Sequence, residues 1–157
     1  MEDNLPDITI KELENILIKK CKQKKRVILA IAGPPTSGKS TIAKKIFEHF
    51  NLKQHDFSSI LPMDGFHYDD THLISAGLRD RKGAIETFDF GGFYNTLKRI
   101  RDMNEQEVAV PVFDREIEIA RAGARIVSSN VSLIIVEGNY LLIDLYPWSQ
   151  LRSFFDV

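Results

Sequence analysis

The stretch Val27–Ser40, VILAIAGPPTSGKS, sets the fold class. Its first six residues, Val27 to Ala32, are continuously apolar and rich in branched side chains, which suits a strand buried on both faces. The remainder, Gly33 to Ser40, has the spacing G-x-x-x-x-G-K-[ST]. Gly33 and Gly38 let the backbone bend so that successive amide N–H groups face inward and cradle anionic phosphates. The start of the next helix adds a positive partial charge. Lys39 is placed to reach the β- and γ-phosphates of a nucleotide, and the Ser40 hydroxyl to ligate Mg2+. Gly33, Thr36, Ser37, Gly38, Lys39, Ser40 and Thr41 are the candidate nucleotide-binding residues.

Beyond the loop, Ile42, Ala43, Ile46, Phe47 and Phe50 recur at helical spacing. Strand, glycine-bearing turn and helix in that order begin a βαβ unit. Upstream, Ile10, Leu13, Ile16, Leu17 and Cys21 predict an amphipathic helix ending at the basic cluster Lys22 to Arg26, read as a solvated helix end. Downstream, strands are expected over Ser58 to Met63 and Val131 to Val136. A weaker edge strand is expected at Val108 to Phe113, where Pro111 interrupts donation. A short helical turn falls at 71–76, an amphipathic helix carries Phe93, Leu97, Ile100 and Met103 with Asp89 as its cap, and a last helix is placed around Asp144 to Phe154. The result is an α/β fold of three layers (α/β/α) with a mainly parallel sheet. Residues 1–25 form an N-terminal helical unit and 26–157 the core.

The 157 residues fit one domain, and 43% hydrophobic with 27% charged residues suffices for a core and a solvated surface. Lysines and arginines number 21 against 22 acids, a formal net charge of −1, which excludes a generally basic nucleic-acid binder. The one cysteine, Cys21, forms no internal disulfide, no apolar run approaches a membrane span, and the acidic start Met1-Glu2-Asp3 is no signal peptide. A soluble, cytoplasmic protein is the expectation, with no nucleic-acid or membrane partner.

The carboxyl ends of parallel strands line the ligand crevice. The second strand ends in Met63-Asp64-Gly65-Phe66-His67, so Asp64 shares a rim with the phosphate loop. A carboxylate there can accept the proton of an attacking hydroxyl and hold its oxygen in line with the γ-phosphate. His67 is either an acceptor contact or structural. The strand 132–136 ends in Glu137, a candidate Mg2+ ligand, and Asn139 and Tyr140 fall in the same crevice. Arg81 and Lys82, in the polar segment Arg79 to Asp89, either hold an anionic substrate or belong to a solvated loop. Asp114 and Arg115, after the edge strand, either contact the acceptor or form a surface ion pair.

Neither the N/T-K-x-D motif of GTPases nor the L-S-G-G-Q signature of ABC ATPases occurs, which favours a small-molecule kinase. The ordered set GPPTSGKS, MDGFH, RKGAIETFD, PVFDR and VEGNYLL, spread over residues 33–142, resembles the phosphoribulokinase, uridine kinase and pantothenate kinase group of P-loop kinases. MDGF and RKGAIETFD are similar to bacterial-type pantothenate kinase. FDR and EGNYLL are similar to a branch described as nucleoside or fructose-transport kinase-like. The resemblance implies ATP:alcohol phosphotransfer to a small-molecule acceptor, with Asp64 as catalytic base and Lys39, Ser40 and Glu137 serving ATP and Mg2+. The histidine segment of pantothenate kinases is replaced by Phe113-Asp114-Arg115-Glu116, and the N-F-D-H-P stretch of uridine kinases does not occur.

Members of that group continue with a further strand, a mobile lid and another strand. On this basis the chain is expected to lack the final strands and lid, whose arginines are worth on the order of 10³–10⁵ in rate. It is also expected to leave Val27 to Ala32 as an apolar edge, to be covered by a further C-terminal segment or by a second copy in a homo-oligomer. The alternative to a kinase is a nucleotide-binding module with little or no turnover.

Overall fold

The computed structural model of the chain describes residues 8–157; the acidic opening and the first seven residues of the N-terminal unit lie outside the described residues. Helix α1 (Ile10–Gln23) starts at a reciprocal cap. The Thr9 hydroxyl accepts from the Glu12 amide at 3.2 Å, and the Thr9 amide donates to the Glu12 carboxylate at 2.7 Å. One face, centred on Leu17, packs inward.

Strand β1 (Val27–Ala32) leads through the phosphate loop into α2 (Lys39–Lys53), and β2 (Ser58–Pro62) follows. After a 3-10 turn at Met63–Phe66 come α3 (Asp70–Ser75) and α4 (Phe90–Asp102), the latter capped by Asp89 through the Gly92 amide. Strands β3 (Glu107–Asp114) and β4 (Ile119–Ser128) form an antiparallel hairpin, and β5 (Leu133–Gly138) returns to the main sheet.

The main sheet has the order β1-β5-β2, with both pairings parallel. Every residue of β5 is buried, as a central strand requires, which explains its unbroken apolar run. Alternate residues feed two cores. Val27, Leu29, Leu133 and Ile135 pack with Leu17, Ile46 and Phe50 from α1 and α2. Ile28, Leu61, Ile134 and Val136 pack with Phe93, Leu97 and Trp148 on the other face. No helix among the described residues is long and apolar enough to cross a membrane.

Four expectations need correction. First, β4 was not anticipated. Its sequence IARAGARIVS is small, charged and half-exposed, with only Val127 buried, so it lacks a hydrophobic signature of its own and is held by its pairing with β3. Second, the helix placed around Asp144 to Phe154 is a 3-10 helix confined to Trp148–Phe154, preceded by Pro147, which has no amide hydrogen to donate. Third, Arg26 is no solvated helix end. It is buried and donates to the carbonyls of Val131, Ile100 and Ser128 at 2.9, 2.7 and 2.7 Å. Fourth, β1 is buried only over Val27 to Leu29, and although it lies at the sheet edge, that edge is partly covered. The Ala30 amide donates to Val157 at 2.9 Å, and the Asp156 amide donates to Ile28 at 2.8 Å.

Candidate active site

The strand register builds the site. Ile31, Glu137 and Pro62 are neighbours across β1, β5 and β2. The phosphate loop therefore leaves β1 beside Glu137, and the turn carrying Asp64 leaves β2 on Glu137's other side. A cleft of about 470 Å³ opens over these strand ends, lined among others by Thr36, Lys39, Ser40, Asp64, His67 and Asn139.

At the loop, Gly38 has φ of +85°, a left-handed conformation that favours glycine, and it hands the chain directly to α2. Lys39 Nζ donates back to the Pro34 carbonyl at 3.2 Å, so the ammonium lies over its own loop. Ser40 Oγ donates to Glu137 Oε2 at 2.9 Å. Glu137 is buried, and burial raises its pKa above the usual carboxylate value, with the Ser40 hydrogen bond opposing.

The Asp64 turn is held by close packing. A Cβ at Gly65 would stand 2.5 Å from the Pro111 carbonyl oxygen, so only glycine lets β3 approach here. Asp64 Oδ2 accepts from Arg115 Nη2 at 2.8 Å. His67 Nδ1 lies 2.8 Å from the Asp64 carbonyl, and its ring sits between those of Phe88 and Phe113, with centroids at 4.0 and 5.0 Å. Burial is the main influence on His67 and draws its pKa below the ordinary value.

Of the other candidates, Asn139 lines the cleft, and its Oδ1 is buried with no hydrogen-bond partner among the described residues. Tyr140 lies in an adjoining recess, and its hydroxyl donates to the Gly83 carbonyl at 2.9 Å. That bond fixes Gly83 as part of the cleft wall, helped by buried Thr87, whose hydroxyl accepts from the Gly83 amide at 3.0 Å. Arg81 and Lys82 do not line the cleft. Arg81 pairs with Glu86 at 2.6 Å, and Lys82 with Asp70 at 2.6 Å. Asp114 accepts from Arg121 at 3.3 Å in a groove along the hairpin.

One residue of this neighbourhood escaped the sequence reading. Arg125 on β4 lines an inner recess together with Asp64, Arg115 and Glu137. Its only sequence signal is a second arginine, Arg121, four residues earlier on a strand that was itself not anticipated.

The NB-ARC domain model matches residues 7–64, the segment containing the phosphate loop. Over 163 residues the chain is 31% identical to a "putative uridine kinase" of Schizosaccharomyces pombe, an alignment covering all of this chain and 69% of that protein. It is 30% identical over 112 residues to the pantothenate kinase of Limosilactobacillus reuteri, covering 71% of this chain and 36% of the other. The crystal structure of a "putative fructose transport system kinase" from Silicibacter sp. TM1040 superposes with a TM-score of 0.84 at 37% identity, covering 96% of this chain and 73% of that one. The phosphate loop on a parallel sheet and these relatives define a nucleotide-binding P-loop kinase fold. More narrowly, the chain belongs to the family of the phosphoribulokinases, uridine kinases and pantothenate kinases. It spans about two thirds of the first relative and about a third of the second.

Proposed function

We propose that the chain is an ATP-dependent kinase that transfers the γ-phosphoryl group to a hydroxyl of a small metabolite, acting in the cytoplasm. One observation carries this reading: Lys39, Ser40 and Asp64 line a single cleft, and Glu137, between them in the sheet, lines the recess beside it and accepts a hydrogen bond from Ser40.

In this reading the loop amides and Lys39 hold the nucleotide phosphates. Asp64 takes the proton of the acceptor hydroxyl, whose oxygen bonds to the γ-phosphorus as the bond to the bridging β–γ oxygen breaks. ADP leaves with the electron pair. Lys39 offsets the charge that accumulates on the transferring oxygens. The donor set fits Mg2+: one hydroxyl and one carboxylate, both hard oxygens, already lie 2.9 Å apart. No group of three or more His, Cys, Asp or Glu side chains forms a closed cage among the described residues. Mg2+ commonly takes one or two protein oxygens and completes its shell with phosphate and water. When bound by Ser40, Glu137 and the nucleotide, the ion would neutralise phosphate charge. Asn139 and His67, which line the same cleft, serve the acceptor side in this reading.

The test is ADP release from Mg-ATP with a mixed panel of pantothenate, nucleosides, sugars and sugar acids, run beside an Asp64→Asn variant. Acceptor-dependent turnover that the variant abolishes is expected. ATP bound without turnover on any acceptor would point instead to a binding module.

A further inference from the structure

The charges of this chain are not spread evenly. Residues 8–53, which carry α1, β1 and α2, hold eleven lysines and arginines against three acids, whereas residues 54–157 hold ten against sixteen. The near-neutral total therefore hides a strongly basic α1–α2 layer. Its three acids are already engaged: Glu12 by the Thr9 cap, Glu14 by His49 at 3.2 Å and Glu48 by Lys44 at 3.7 Å. Asp156 takes Lys24 at 2.6 Å, and Asp56 pairs with His55 at 3.0 Å. Lys19, Lys22, Lys25 and Lys53 are exposed, and no carboxylate pairs with them among the described residues.

At the C-terminal ends of the two helices the surface sinks into a recess of about 260 Å³, lined by Ile18, Cys21, Phe50 and Phe57 with Lys22 and Lys53. The rings of Phe50 and Phe57 stack, with centroids 5.3 Å apart and planes 13° from parallel. Burial, then the nearby Asp156 charge, pushes the Cys21 thiol up to about 11, so it stays uncharged and adds to the apolar wall. No carboxylate lines the recess among the described residues. The fifteen residues of α2 put it roughly 20 Å from the phosphate loop, so nucleotide chemistry does not use it.

Two helix C-termini meet there, each worth roughly half a negative elementary charge, and Lys22 and Lys53 lie in their last turns. Those partial charges offset about one of the four unpaired ammonium groups and leave the others without a counter-charge. A concave apolar recess admits a side chain, where a flat lipid surface would need a protruding ridge. Two rings stacked on each other offer no open face to a nucleic-acid base. We propose that this surface docks an acidic protein segment, one of whose apolar side chains fills the recess while its carboxylates meet Lys19, Lys22, Lys25 and Lys53.

The probe is a pool of blocked peptides in which Asp and Glu flank a central phenylalanine, tryptophan or leucine. A second pool carries alanine at the centre. Binding to the full chain is read by amide NMR shifts and by fluorescence anisotropy, beside vesicles of phosphatidylserine with phosphatidylcholine and a single-stranded RNA oligomer. The comparison is with the double variant Lys22→Gln/Lys53→Gln and with Lys98→Gln as a charge control on α4, thermal melts confirming that both fold. The first pool should bind with shifts centred on Ile18 and Phe57, and the alanine pool should bind several-fold more weakly. Binding should weaken roughly tenfold or more in the double variant, and likewise when ionic strength rises from about 0.1 M to about 1 M. Lys98→Gln should bind as the parent does. No binding of the acidic pool, equal binding of the two pools, or an unaltered double variant overturns the proposal. Vesicles or RNA that displace the peptides from these lysines overturn it too, and assign the face to that surface instead.

Discussion

Arg115 Nη2 donates to Asp64 Oδ2 at 2.8 Å, although 51 residues separate the two in the chain. One oxygen of the carboxylate proposed to take the hydroxyl proton is thus already engaged by a cation from the hairpin. Arg115 is 75% exposed, so the pair adds less than about 1 kcal/mol to stability. Arg115→Gln should leave the urea midpoint nearly unchanged. Under the proposed phosphoryl transfer its effect should fall on kcat/KM, lowered roughly tenfold or more, because a charge-assisted contact to the proposed base is lost. Equal activity in both proteins would remove Arg115 from the site.

Gly65 tests the hairpin's seat. Its Cβ would meet the Pro111 carbonyl oxygen at 2.5 Å and the Pro111 carbonyl carbon at 2.8 Å, both backbone atoms that cannot rotate away. Gly65→Ala should cost about 1–3 kcal/mol in urea unfolding, the range for overpacking. It should also impair turnover more than ADP affinity, since the phosphate loop is on a different strand. A fully stable Gly65→Ala protein would contradict this packing.

Asp156 ties the chain's last residues to β1 and α1. Its carboxylate accepts from the Ile28 amide at 2.9 Å, Lys24 at 2.6 Å and Arg101 at 3.3 Å. Burial alone would raise its pKa, but the Lys24 and Ile28 hydrogen bonds and the Arg101 charge bring it below its ordinary 3.8. With the folded pKa depressed, the contribution is full above the unfolded value and fades as pH falls through the folded one. Asp156→Asn should lose about 1–3 kcal/mol at neutral pH. Stability curves of the two proteins should converge on acidification below 3.8, which a pH series of chemical melts would reveal.

His67 predicts a second pH effect. Burial lowers its pKa from 6.5, outweighing the carbonyl and carboxylate of Asp64, while Lys82 and Arg115 also disfavour its cation. The folded state therefore prefers the neutral ring. That contribution is complete above 6.5 and is lost as pH drops from there toward the folded value. Melts from pH 8 to 5 should show a decline that His67→Asn flattens. Matching slopes would mean that His67 does not govern the decline.

The sheet and phosphate loop were readable because their signals are local. Six apolar residues followed by a glycine turn need no distant partner to be recognised, and the strand ending in Glu137 repeats that pattern. The neighbourhood of Asp64 and Glu137 followed from parallel-strand geometry. The hairpin was opaque for a physical reason: it is seated by Pro111 against Gly65, a contact between residues far apart in the chain, while most β4 residues are exposed. Arg125 was hidden with it. Arg26 was misread because a basic run resembles a solvated surface until three carbonyls converge on one of its members.

The order β1-β5-β2 has a temporal side. β1 and β2 do not pair with each other; each pairs in parallel with β5, which follows both along the chain. As the polypeptide emerges from a ribosome, the phosphate loop and the Asp64 turn are both exposed long before Leu133. A nascent chain halted there has its signature residues but no wedge to set their spacing, and Ser40 has no Glu137 to meet. The spacing of the phosphate loop and the Asp64 turn should be set in one step, when β5 slides between the two strands that waited for it.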